Sequence, residues 1–274
     1  MLHFLRALSL ALLLPAAALA ADPTPAPAAP AAPGASAAPA APGAPGAPGA
    51  SAAFSPAQRT AILDIVRNAL KTDPSILRDA IVTLQADEAA RDAAEAKGAI
   101  AAKQQDLLAH PGDPEAGNPH GDITVVEFYD PRCPYCRKML PGIEAMLQKD
   151  HGVRLVYKDI PVLGPPSVME ARAIVAAQNQ GAYLKMQAAL MKNAAIPTEA
   201  MIRDTARAQG LNPDRLIADM NSAAVTQKIK TNLDLAHALK IQGTPAFVVG
   251  DQMIPGMVDA DQLEDAVTQA RKHA

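Results

Sequence analysis

Cysteine is nearly absent from this chain: the 274 residues hold two, Cys133 and Cys136. There is no second C-x-x-C, and the six histidines lack H-x-x-x-H spacing, so a closed four-ligand zinc site is not expected. A c-type haem attachment needs His directly after the second cysteine, where Arg137 stands. Tryptophan is missing altogether, and phenylalanine and tyrosine number four each. Charge of one sign is also lacking: 25 basic against 28 acidic residues leave a net −3, which argues against nucleic-acid or membrane-surface partners. No continuous apolar run is long enough to span a bilayer, and no lipidation cysteine follows the N-terminal apolar segment.

What is present is concentrated around those two thiols. Thr124–Tyr129 is an apolar, β-branched run that reads as a buried strand; Asp130-Pro131 breaks it, and Cys133-Pro134-Tyr135-Cys136 opens a helix. A thiol at a helix N-terminus has its thiolate stabilised by the helix dipole and free N–H groups. A static disulfide is the bland alternative, but so short a loop constrains the unfolded chain little. The motif therefore predicts thiol–disulfide exchange.

The N-terminal third predicts location and assembly. Residues 1–20 carry Arg6, an apolar run from Leu8 to Leu14 and a small-residue Ala18-Leu19-Ala20 end, the pattern of a secretory signal peptide. Export would place the thiols in an oxidising compartment such as the periplasm. Residues 21–53 are almost only Ala, Pro, Gly and Ser and predict a flexible linker. Residues 54–112 then turn helical. Ser55 and Pro56 mark a helix start followed by Ile62, Leu63, Val66 and Leu70, and Asp73-Pro74 starts a second helix with Ile76, Leu77, Ala80, Ile81 and Leu84. This pattern, running from Asp73 to about Ala109, is longer than ordinary globular helices and predicts homo-oligomerisation through residues 54–109. Glu88 on the apolar seam and Gly98 beyond it make the heptads imperfect, giving an associating patch followed by a bendable stalk.

Pro- and Gly-rich punctuation between Pro111 and Gly121 leads into residues 113–274, which hold most of the aromatics: Phe128, Tyr129, Tyr135, Tyr157, Tyr183 and Phe247. The expected order is strand Ile123–Tyr129, helix from Pro134 to about Gln148, and strand Val153–Lys158. A helical stretch (about 165–240) follows, then strand Ala246–Val249, a Gly250-Asp251 turn, short strand Gln252–Ile254 and a last helix. That last helix opens with a capping box, Asp259 and Gln262, and buries Leu263, Ala266, Val267 and Ala270. Gly243-Thr244-Pro245 stands ahead of the Ala246 strand. Proline is tolerated at a strand's first residue, and a cis Thr244–Pro245 bond there would turn the Thr244 backbone toward a ligand.

With the C-P-Y-C helix, the helical insertion, Thr244-Pro245 and the terminal ββα in view, the chain resembles the DsbA-class disulfide oxidoreductases. Within that class the Asn118–Tyr129 lead-in, the Gly243–Phe247 segment and the added N-terminal helices are most similar to the ScsC (suppressor of copper sensitivity) and Com1-like branch. The resemblance implies an α/β, thioredoxin-like fold with a helical insertion, preceded by an N-terminal helical oligomerisation region, with a trimer favoured. It also implies a cis-proline facing the dithiol and a substrate groove.

Roles follow from the residues and the resemblance together. Cys133 is expected to be the exposed attacking thiolate and Cys136, one turn inside, the shielded resolving thiol. Pro134 and Tyr135 fix the turn and, with Thr244 and Pro245, meet substrate, an unfolded or misfolded secreted protein laid strand-fashion beside the loop. The resemblance places a buried acid at Glu127, able to take the Cys136 proton; an edge-strand glutamate facing solvent is the alternative. Lys158 is a partner to test for Glu127, and Arg132 reads either as a charge beside the thiolate or as a solvated residue. Met169, Met186, Met191, Met201 and Met220 recur at helical spacing and read as core rather than copper ligands. Neither a cofactor nor a resident metal is expected beyond the Cys133–Cys136 redox couple, and the redox cycle requires a membrane partner of unknown identity. The chemistry predicted is disulfide isomerisation, with oxidation as the alternative, and a Cu(I)-binding stress protein as the reading from another class.

Overall fold

The computed structural model describes residues 54–273; the expected signal peptide and Ala/Pro/Gly linker lie outside them. Helix α1 (Pro56–Thr72) begins where Ser55 and Gln58 cap each other's backbone N–H groups, at 3.3 and 2.8 Å. None of its residues is buried. Helix α2 (Ser75–Ala102) starts after Asp73, whose carboxylate accepts from the Ser75 N–H at 3.1 Å and hydroxyl at 2.5 Å.

The second helix is not continuous to Ala109. It ends at Lys103, and the separate short α3 (Gln104–Leu108) follows. Gly98 stays helical; the break comes where Ile100 and Leu107 must both turn inward, and both are buried against the sheet. Fully burying two such aliphatic side chains is worth about 1.5–3 kcal/mol each. The far half of α2 is therefore docked rather than a free stalk, with Glu95 on Lys240 and Lys97 on Asp251, each at 2.5 Å.

The sheet has five strands in the order β1-β3-β2-β4-β5. They are β1 (Glu115–Gly117), β2 (Ile123–Tyr129), β3 (Val153–Asp159), β4 (Ala246–Val249) and β5 (Gln252–Pro255). Strands β2 and β3 pair in parallel across the crossover helix α4 (Pro134–Lys149), and every other pairing is antiparallel. Strand β1 was not expected: Glu-Ala-Gly has no alternation to read, and it is held by the backbone of β3. Gly250, at φ 62°, makes the β4–β5 turn.

Both sheet faces are covered. One carries Val125, Tyr129, Leu155, Tyr157 and Phe247 against α4, the C-terminal α10 (Ala260–Lys272) and the helical insertion. The other carries Val126, Phe128, Val156 and Val248 against Ile100, Leu107 and the end of α9 (Ala223–Ala238). The insertion itself runs α5 (Pro165–Ala177), α6 (Tyr183–Lys192), α7 (Glu199–Ala208), α8 (Pro213–Met220) and α9. Met186, Met191 and Met220 are buried there, and Met169 and Met201 pack against the same core, as the helical spacing predicted. The capping box at Asp259 and Gln262 is present, and Leu263, Ala266 and Val267 are buried.

Candidate active site

The central strand β2 delivers the chain to the dithiol. Asp130, fully buried, ends the strand: one carboxylate oxygen accepts from the Arg132 N–H at 2.7 Å, and the other from Val162 and Leu163 at 2.8 and 3.0 Å. Its backbone carbonyl accepts from the Cys133 N–H at 3.0 Å. Cys133 thereby becomes the N-cap of α4, with Pro134 supplying the helical φ at the first position. Both thiols are free.

Cys133 is less open than the sequence predicted, only 4% exposed. The reason is the facing loop: its Sγ donates to the Thr244 carbonyl at 3.2 Å. The Thr244–Pro245 bond is cis, Pro245 is buried, and the Pro245 carbonyl accepts from Gly256 at 2.9 Å, which ties the loop to β5. Pro134 is exposed and Tyr135 is 58% exposed, so the turn between the thiols faces solvent. Cys136 is completely enclosed, and burial, then the neighbouring Glu127 carboxyl, push its thiol well above the ordinary range.

Glu127 lies in the middle of the sheet, 2% exposed, with Tyr157 and Phe247 beside it on the flanking strands. The solvent-facing alternative does not hold. Burial, reinforced by Asp159, raises its carboxyl to about 8. It does not pair with Lys158. Glu127 is in register with Tyr157, and strand side chains alternate, so Lys158 points to the opposite face. There Lys158 binds Asp113 at 2.5 Å and the Asp106 carbonyl at 2.7 Å, while Lys228 also engages Asp113.

Two acids that the sequence reading passed over complete the surroundings. Asp159, at the end of β3, accepts from the Tyr129 and Tyr183 hydroxyls at 2.7 and 2.8 Å, and burial raises it to about 6. Glu170 on α5 meets Arg132 at 3.0 Å and Arg137 at 3.2 Å, so Arg132 is neither solvated nor unpaired. A single acid in an apolar helix gives no sequence signal; its partners lie more than thirty residues away.

The geometry assembles a dithiol with one sulfur at the mouth of a helix, a second sealed behind it, and a buried acid close by. Comparison with known proteins agrees. A family model described as "DSBA-like thioredoxin domain" matches residues 124–268, and one described as "Copper resistance protein ScsC N-terminal domain" matches residues 58–91. A thioredoxin-like oxidoreductase from Silicibacter pomeroyi is 43% identical and superposes with TM-score 0.60, covering 62% of this chain and 98% of its own. ScsC of Proteus mirabilis, in a transitional conformation, is 28% identical at TM-score 0.59, covering 82% of this chain and 100% of its own. Disulfide bond formation protein D of Bacillus subtilis is 23% identical over 173 residues, 59% of this chain and 78% of that protein. The Na(+)/H(+) antiporter NhaA 1 of Salinispora arenicola matches at 28% over 166 residues, 58% of this chain but only 26% of that protein's length. With a matching model over more than half of its residues and the thioredoxin-like sheet, helical insertion and N-terminal helices all in place, the chain belongs to the DsbA-like thioredoxin-domain family of thiol–disulfide oxidoreductases, of the DsbA/ScsC type.

Proposed function

We propose that Cys133 and Cys136 are the reacting couple of a periplasmic protein disulfide isomerase. The observation that carries this reading is the pairing of the Cys133 Sγ with the Thr244 carbonyl at 3.2 Å while Cys136 is sealed behind it. A substrate chain approaching along Thr244 and Pro245 exchanges that hydrogen bond for its own and presents a disulfide to Cys133. The Cys133 thiolate attacks one substrate sulfur, a mixed disulfide forms, and the other substrate sulfur leaves as a thiolate. In isomerisation that thiolate attacks a different substrate disulfide, and a final substrate thiolate displaces Cys133, with no net electron transfer. When the substrate stalls, Cys136 attacks the Cys133 sulfur and releases a reduced substrate, and the enzyme's own disulfide must then be reduced by a membrane partner. Glu127 takes the Cys136 proton in this escape step. Pro134, Tyr135, Thr244 and Pro245 form the contact surface for unfolded or misfolded secreted chains, and Val162 and Leu163, bound through their backbone N–H groups to Asp130 ahead of the dithiol, are also exposed.

The preference for isomerase over oxidase rests on the N-terminal helices. Ile62, Leu63, Ile65, Val66 and Leu70 on α1 and Ile76, Leu77, Ile81, Val82 and Leu84 on α2 are all exposed, ten aliphatic residues that further copies of this chain would cover. Several reduced sites held together can grip one misfolded substrate, and such linkage raises effective affinity by about 10²–10⁴. The test is recovery of native activity from a scrambled-disulfide substrate in glutathione buffer, comparing residues 21–274 with a truncation that starts at Gln85. Cutting there spares Glu95, Lys97 and Ile100, which belong to the docked part of α2. The full-length form should recover activity and sediment as an oligomer, with a trimer favoured; the truncation should lose at least about tenfold in recovery while still oxidising a reduced peptide. Fast oxidation without recovery from either form would make the protein an oxidase.

A copper reading is prompted by the name of the family matched at residues 58–91. Its soft ligands would be the two thiols, since the insertion's methionines are packed into the core. Cu(I) titration of thiol-blocked protein should show tight binding lost; retained binding would place the metal on Met or His instead.

A further inference from the structure

The C-P-Y-C turn is bracketed by two arginines, Arg132 immediately before Cys133 and Arg137 immediately after Cys136. Both guanidiniums converge on one side chain. Glu170, fully buried on α5, gives one oxygen to Arg132 at 3.0 Å and the other to Arg137 at 3.2 Å. Both guanidiniums are anchored to backbone as well. Arg132 also donates to Ala194 and Ala195 carbonyls at 3.3 and 2.6 Å, and Arg137 to Asn193 and Pro131 carbonyls at 3.0 and 2.7 Å. The loop between α6 and α7, the start of α4 and the middle of α5 thus meet at a single carboxylate.

Two features set this apart from an ordinary ion pair. It is enclosed: the arginine side chains are under one-fifth exposed and the Glu170 side chain is 0% exposed, so water screens the charges little. Within the cluster one carboxylate faces two guanidiniums, while the other acid at the turn, the buried Asp130, spends its carboxylate on the backbone N–H groups of Arg132, Val162 and Leu163 rather than on either arginine side chain. A disulfide carries no charge, whereas the reduced couple must give up the Cys133 thiol proton, held on the Thr244 carbonyl, to form the attacking thiolate. Any change in local charge therefore acts on one redox state and not the other.

We propose that Glu170 is a positioning residue of the redox centre: by fixing and partly neutralising Arg132 and Arg137 it sets the dithiol–disulfide equilibrium as well as the orientation of the C-P-Y-C turn. The proposal rests on the reading of Cys133 and Cys136 as the redox couple. Removing the carboxylate adds one unit of positive charge beside the dithiol, which favours the thiolate and so the reduced form, making the enzyme a stronger oxidant. Removing one guanidinium does the reverse.

The test uses the full mature chain and the balanced reaction with glutathione, in which the protein dithiol and one glutathione disulfide give the protein disulfide and two glutathiones. Glu170→Gln should shift the equilibrium about tenfold toward the reduced protein, equivalent to about 30 mV, and should speed alkylation of Cys133 at mildly acidic pH. Arg132→Gln should shift it the opposite way, and Glu170→Gln with Arg132→Gln should return toward wild type. Glu170→Asp, which keeps the charge, should stay within about twofold of wild type even with a lowered Tm. If all four variants lose Tm but keep the wild-type equilibrium within twofold, Glu170 is a structural clamp and the proposal fails. Wild-type protein that does not exchange with glutathione at all would instead sink the underlying assignment of the couple.

Discussion

Cys136→Ala is expected to abolish the escape step and leave stalled substrate covalently joined to the protein through Cys133. In the proposed cycle the resolving step is intramolecular, and well-placed intramolecular groups act with effective molarities of about 10⁵ M or more. An external thiol at millimolar concentration cannot match that, even allowing for the small ionised fraction of so buried a thiol. Resolution should therefore slow by at least about 10³-fold, and a mixed disulfide with a disulfide-bonded client, formed as the Cys133 thiolate displaces one client sulfur as a thiolate, should be visible on a non-reducing gel. Cys133→Ala should trap nothing, since Cys136 is 0% exposed and unreachable by a polypeptide. Equal trapping by both variants would mean that the two thiols do not have distinct roles. The distinction matters for an isomerase, which benefits when the escape step is slower than substrate reshuffling. Under the proposed isomerase reading, the enclosure of Cys136 would supply that delay.

Much of this arrangement can be read along the chain because it is local. The Val-rich run of β2, the Asp130-Pro131 break, proline after an N-cap cysteine, and the Asp259–Gln262 capping box each encode their own conformation within a few residues. What could not be read depends on pairing between distant segments. Strand β1 exists only because β3 offers a free edge. The face on which Lys158 sits follows from the register of β3 against β2, and a one-residue shift would have reversed it. The loss of Cys133 exposure arises from a loop 111 residues later in the chain. The break at Lys103 likewise reflects what Ile100 and Leu107 meet on the sheet, not a helix-breaking residue. Glu170 and Asp159 complete the site through contacts 24 to 38 residues away and carry no motif.

Glu127→Gln should slow resolution of the mixed disulfide and stabilise the fold, two effects of opposite benefit from one substitution. The kinetic effect combines two contributions. Losing a positioned general base costs about 10²-fold. Against this, removing a carboxylate beside Cys136 eases ionisation of that thiol, because Glu127 is the second cause of its elevation after burial. The base contribution is larger, so a net slowing of about tenfold near pH 7 is expected. With Glu127 titrating at about 8, the wild-type resolution rate should climb through that pH. The variant should lack this inflection, and an unchanged rate and profile would remove Glu127 from the mechanism. The stability effect follows from linkage. The folded carboxyl titrates at about 8 against 4.5 for the free group, so between those values the native state holds a proton that the unfolded chain has released. Stability is therefore lost as pH rises across this window, and the full cost is present above it. Glutamine, neutral throughout, avoids the cost and should gain about 2 kcal/mol at pH 8, or roughly 4–8 °C in Tm, with little gain at pH 4.5. A structural glutamate with no part in catalysis would give the stability gain alone. Loss of rate together with gain of stability is what a group kept for chemistry at the expense of the fold should show.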